Sequence, residues 1–118
     1  MASTENIITN LEKQTEKKFK NCKFNIDGWV FDEYARYQTD EKDNIIKLKI
    51  TNAGLESIPD VVFQIDTLKE LSLEENNLSS FPEEIKQLKE LRYFNIAYNK
   101  FTSFPEKLMS LKKLETIN

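Results

Sequence analysis

Shifted by 23 residues, the stretch from Ile45 to Lys113 matches itself. The segment Leu68-x-x-Leu71-x-Leu73-x-x-Asn76-x-Leu78-x-x-Phe81-Pro82-x-x-Ile85-x-x-Leu88 recurs as Leu91-x-x-Phe94-x-Ile96-x-x-Asn99-x-Phe101-x-x-Phe104-Pro105-x-x-Leu108-x-x-Leu111. One copy earlier it reads Ile45-x-x-Leu48-x-Ile50-x-x-Ala53-x-Leu55-x-x-Ile58-Pro59-x-x-Val62-x-x-Ile65. All three prolines of the chain, Pro59, Pro82 and Pro105, fall on the same repeat position. A fixed period in this range marks one small unit stacked on copies of itself, because a single copy cannot bury its own apolar face.

Within each copy the pattern changes period. Leu71-Ser72-Leu73 and Lys47-Leu48-Lys49-Ile50 alternate apolar and polar, which predicts a short strand. After each proline the apolar residues come at every third position, Ile85 and Leu88 or Leu108 and Leu111, which suits a 3₁₀ or α turn. Proline is tolerated in a first helical turn, where no amide donor is needed. An acid follows each proline (Asp60, Glu83, Glu106), placed to meet the partial positive charge of a helix start.

The repeat resembles the leucine-rich repeat family in its 23-residue form, over about three-fifths of the chain. The resemblance implies an α/β solenoid, with short parallel strands on a concave side and 3₁₀ or helical segments on a convex side. It also implies that Asn76 and Asn99 are the buried asparagines that satisfy backbone groups at the bend after each strand. The first copy departs here, with Ala53 in that slot and Gly54 after it. Its bend is expected to rely on Gly54, or on Asn52 one place earlier. Residues 1–44 read as an N-terminal cap, and residues 45–118 as three full repeats and the start of a fourth.

In the cap, residues 4–23 read as a helix started by Ser3 or Thr4. Ile7, Ile8, Leu11, Thr15 and Phe19 form its apolar stripe, fit to close the first repeat as a lid. A helix that detaches to bind a partner or membrane is the sharper alternative, disfavoured by a narrow stripe and a polar face of mixed sign. Lysines interleave with Phe19 and Phe24 around Lys17 to Lys23, and a solvated helix end accounts for them better than a nucleic-acid patch does. Phe24, Trp29, Phe31, Tyr34 and Tyr37 make the densest aromatic block, and Asp27-Gly28 signals a turn. Core closure explains these aromatics more simply than a cage for a ligand cation. A strand from Tyr34 to Gln38, a turn through Asp40 to Asn44 and a return at Ile45 would form a hairpin over an otherwise open sheet edge. The acidic turn lacks the alternating ligands and glycine of a calcium loop.

Composition narrows the function. A net charge of −3 and a pI near 5.1 give no general attraction to nucleic acid or anionic membrane. Cys22 is the single cysteine, the N-terminus has no signal-peptide pattern, and the chain is expected to be cytoplasmic. There is no histidine, no cysteine pair for metal and no Gly-rich phosphate loop, so no catalytic, cofactor or metal site is expected. What remains is the concave face. Its outward positions are Lys47, Lys49 and Thr51 on the first repeat strand, Glu70, Ser72 and Glu74 on the second, and Tyr93 and Asn95 on the third, with Tyr98 just beyond. The face grades from basic through acidic to aromatic, and Tyr93 and Tyr98 are its best interface anchors.

Three functions fit this reading. The first is a module that holds a protein or peptide on the concave face. The second is a structural segment that self-associates through its C-terminal end, where the fourth copy breaks off at Ile117-Asn118 without a polar cap. The third is an accessory part of a larger enzyme such as a GTPase, kinase or ubiquitin ligase.

Overall fold

A computed structural model describes residues 3–22, 35–103 and 105–118. One six-stranded sheet runs in chain order: β1 (Phe19–Asn21), β2 (Ala35–Thr39), β3 (Ile45–Lys49), β4 (Glu70–Ser72), β5 (Tyr93–Asn95) and β6 (Thr116–Ile117). From β3 onward every pairing is parallel and each strand is one repeat on from its neighbour, Lys47 against Glu70 and Glu70 against Tyr93. The inward residue at the centre of each full-repeat strand is buried: Leu48, Leu71 and Phe94.

Behind each repeat strand lies a five-residue 3₁₀ turn: Asp60–Gln64, Glu83–Gln87 and Glu106–Ser110. Pro59, Pro82 and Pro105 stand directly before these turns in the same role, so the prolines stack in register. Val62, Ile85 and Leu108 point from the turns into the core. The prolines offer no side-chain cap bond, and the acids Asp60, Glu83 and Glu106 stand in the first turn of each. Glu83 also pairs with Lys86 at 2.7 Å and Lys107 at 3.6 Å. Phe81 rests against Phe94 and Phe101, with ring centroids 5.4 and 4.9 Å away, and ties the second coil to the third.

The asparagine bends explain how the coils are joined. The Asn76 amide oxygen accepts from the Ala53 and Leu55 N–H groups of the preceding coil at 2.9 and 3.2 Å. Its nitrogen donates to Ile50 O at 2.9 Å and Leu73 O at 3.0 Å. Asn99 repeats this one coil later, accepting from Leu78 N–H and donating to Leu73 O and Ile96 O. Each asparagine therefore satisfies the bend of the coil before it as well as its own. This accounts for Ala53. The strand before β3 is the antiparallel β2, which has no such bend to satisfy. Asn52 and Gly54 both take positive φ, 51° and 66°, so the first bend uses both of the expected residues and borrows Asn76.

The residue before the asparagine slot is left-handed in all three coils: Asn52, Glu75 and Tyr98 have φ of 51°, 59° and 56°. Asparagine tolerates this backbone well, whereas a longer side chain is strained there. Glu75 is exposed, so Glu75→Asn is expected to stabilise the fold by about 0.5–1 kcal/mol, read as a higher midpoint in urea. An unchanged or lower midpoint would mean that the bend carries no strain.

The cap differs from expectation in one respect. The helix α1 spans Thr4–Thr15 and stops well short of residue 23. Ser3 caps its start by accepting from Asn6 N–H, and Glu16 ends it with a left-handed φ of 57°. The chain leaves the helix because residues 19–21 gain ladder bonds as β1, pairing parallel with β2. The Glu12 carboxylate also draws the chain back by accepting from Phe19 N–H at 2.9 Å. Ile7, Ile8 and Leu11 are buried in the same core as the repeats, and α1 packs on the first 3₁₀ turn. Phe24, Trp29, Phe31, Tyr34 and the Asp27-Gly28 turn lie outside the described residues.

The hairpin is antiparallel, with Arg36 opposite Lys49 and Gln38 opposite Lys47. Tyr37 faces inward beside Leu48, and burial, then the Asp43 and Glu12 carboxylates, push its phenol above the ordinary value. Asp40 organises the turn. One carboxylate oxygen accepts from both Lys42 N–H and Asn44 N–H at 2.9 Å. The Asn44 amide bond, followed by that of Lys42, holds the Asp40 carboxyl below its usual 3.8. A lowered folded value means that the ionised form favours the folded turn. That contribution is full above the ordinary value and lost as pH falls through the lowered one. Amide proton shifts of Lys42 and Asn44 should therefore titrate with a common midpoint below 3.8. A midpoint at or above that value would remove Asp40 as the organiser.

Candidate functional site

The sheet register places the outward side chains in rows that cross the strands. One row runs Gln38, Lys47, Glu70, Tyr93, Thr116. A second runs Lys20, Arg36, Lys49, Ser72, Asn95. Side chains on adjacent strands at one register position share a face about 4.8 Å apart. Six of the nine residues expected from sequence thus fall side by side: Lys47, Lys49, Glu70, Ser72, Tyr93 and Asn95. With Thr116 and Asn118 they line a shallow concavity of about 210 Å³. The other three sit at the margin. Thr51 follows β3 and is half-buried, Glu74 follows β4, and Tyr98 lies on the left-handed bend beyond β5.

The contacts on this face are polar and mostly local. Lys47 pairs with Glu70 at 3.4 Å, as their neighbouring positions lead one to expect. Glu74 accepts from the Asn95 amide at 3.3 Å. The Ser72 hydroxyl oxygen is covered yet has no hydrogen-bond partner among the described residues. Tyr93 is 43% exposed and Tyr98 76% exposed, so both aromatic rings present area to solvent. Lys20, Arg36 and Gln38 are absent from the sequence-based set. The hairpin register puts Arg36 and Gln38 on this face and the parallel β1–β2 pairing adds Lys20, which a helix drawn through residue 23 hides. Thr116 was equally legible from the repeat, as the next copy's equivalent of Tyr93.

The face offers hydrogen bonding, charge and aromatic contact. No group of three or more His, Cys, Asp or Glu side chains is placed to hold a metal among the described residues. No helix there is long and apolar enough to cross a membrane.

Comparison with known proteins agrees with this architecture. The leucine-rich repeat family matches residues 43–101, half of the chain, and the chain belongs to that family. Among solved structures it is similar to a leucine-rich repeat protein of Leptospira interrogans, with 28% identity and a TM-score of 0.55. The match covers 69% of this chain and 22% of that one, so this chain corresponds to under a quarter of the larger solenoid. No match is found among curated proteins. Domains of this family serve in general as protein-interaction modules.

Proposed function

We propose that the chain is a non-enzymatic binding module that holds a protein or peptide on its concave face. The observation carrying this is the alignment of exposed Tyr93 with Lys47, Glu70, Lys49, Ser72 and Asn95 on one rigid parallel sheet. Aromatic area flanked by mixed polar groups is the composition of a protein interface. Strands hold such groups more firmly than loops do. The division into a cap over residues 1–44 and repeats over 45–118, a cytoplasmic setting, and the exclusion of nucleic acid and membrane as partners belong to the same reading.

A photo-crosslinking amino acid placed at Tyr93 should give covalent adducts with host proteins. The same group at Met109, which is 75% exposed outside the concave face, should give none above background. Adding Glu74→Lys to Tyr93→Ala should abolish capture of the crosslinked protein and leave the circular dichroism spectrum intact. Adducts at Met109 alone would move the site off the concave face. Self-association is the competing reading. A constant monomeric mass over the micromolar range would remove it.

A further inference from the structure

We infer that the rim where the chain enters β4, β5 and β6 is a receptor for a short acidic segment of the partner protein, seated on Lys69, Lys89, Arg92 and Lys112. This rests on the concave-face reading above and names the chemistry of what binds at its edge. The repeat brings these cations together. Arg92 N–H donates to Lys69 O at 2.8 Å, so the two side chains leave adjacent strands at one register position. Lys89 and Lys112 share a repeat position one coil apart, and Lys113 follows directly. At about 4.8 Å per strand, like charges this close repel, and a bound anion relieves the repulsion.

One carboxylate, Glu90, lies among them. It accepts from Lys113 Nζ at 2.7 Å. That hydrogen bond first, then the charges of Lys113, Arg92 and Lys69, hold the Glu90 carboxyl below its usual 4.5. Glu90 thus answers Lys113 and sits in a field set by the others. Lys69, Lys89, Arg92 and Lys112 are all exposed and have no ion-pair partner among the described residues. The chain as a whole is acidic, so this rim inverts the local sign. Arg92 also stands directly before the exposed Tyr93, which joins the patch to the concave face. Its guanidinium is free to take a carboxylate in a two-bond fork.

The borders of the patch select the ligand. Asp66 holds the repeat position of Lys89 one coil earlier, and Glu115 that of Arg92 one coil later. Glu70 borders the patch on the concave side. The open positive stretch is therefore only about 5–10 Å long across the coils. A nucleic-acid strand, charged at every nucleotide, would carry its phosphates on over these acids. A protein segment can set a few carboxylates on the patch and lay uncharged groups over Tyr93.

The test uses the full chain and a fluorescent peptide with a glutamate block at one end and a Ser-Gly remainder. Anisotropy should report binding that weakens with added salt. A Ser-Gly peptide without the block and a single-stranded oligonucleotide should both bind more weakly. Lys89→Glu with Arg92→Glu should lower affinity for the glutamate peptide about tenfold or more. Lys13→Glu with Lys18→Glu makes the same charge change on the cap and should leave affinity within about twofold. Glu115→Lys, which opens the border beside Arg92, should raise affinity about threefold. Circular dichroism checks that each variant folds. Equal loss in the two double variants, no gain from Glu115→Lys, equal binding of the uncharged peptide, or tighter binding of the oligonucleotide would each overturn the inference. If the glutamate peptide fails while adducts at Tyr93 persist, this inference falls and the concave-face reading stands. If both fail, the reading itself falls.

Discussion

Asn76→Ala is expected to destabilise the protein by about 3–5 kcal/mol, a large part of the total for a domain of this size. The side chain is only 5% exposed and holds backbone groups of two coils together. Removing it strands the Ala53 and Leu55 N–H groups and the Ile50 carbonyl, while the Leu73 carbonyl keeps its bond from Asn99. Each buried orphan costs about 1–3 kcal/mol, and partial entry of water lowers the sum. Stacked coils owe their cohesion to the interfaces between neighbours, so loss of this joint separates the first coil and the cap from the rest. Urea unfolding should show an earlier midpoint, or two transitions in place of one. Asn99→Ala should cost less, because Asn99 is half-buried and satisfies one N–H group of the preceding coil where Asn76 satisfies two. Equal costs at the two sites would mean that the second N–H group held by Asn76, and its deeper burial, add nothing.

Leu11→Ala is expected to cost about 3 kcal/mol, within the range for truncating a buried leucine. Leu11 has no solvent exposure, and it lies with Ile7 and Ile8 in the core that includes Val61 and Val62. Its loss opens a cavity between α1 and the first 3₁₀ turn. Thr4 also tethers the helix start by donating to the Asp43 carbonyl, so α1 should loosen without departing. Hydrogen exchange should accelerate first at residues 7–15, while Leu73 N–H, bonded to Asn95 O, keeps its protection. A cost below about 0.5 kcal/mol would mean that α1 contributes no core, and would revive the detachable helix.

The repeat half of this fold was legible residue by residue. The proline row, the buried Leu48, Leu71 and Phe94, and the Lys47–Glu70 neighbours all follow from a fixed period, which makes distant residues structurally equivalent. The hairpin turn was legible too, because Asp40 to Asn44 is a local signal. The cap was harder. Its apolar spacing continues through Thr15 to Phe19, and a periodic stripe cannot say where a helix stops when a strand competes for the chain. Thr15 was correctly placed in the core, and Phe19 packs against the same core from a strand.

The candidate site divides along the same line. Outward positions on β3, β4 and β5 come from alternation alone, because each strand repeats the last. That Lys20 and Arg36 join the same face depends on pairings outside the repeat. The sequence by itself determined the coil, its period and the residues each coil turns outward, since those follow from local spacing and burial of one apolar face. Only the tertiary structure decided that Asn76 serves two coils and that three cap-end cations share one row. Both depend on which strand lies beside which, and hydrogen bonding between segments far apart in the chain settles that.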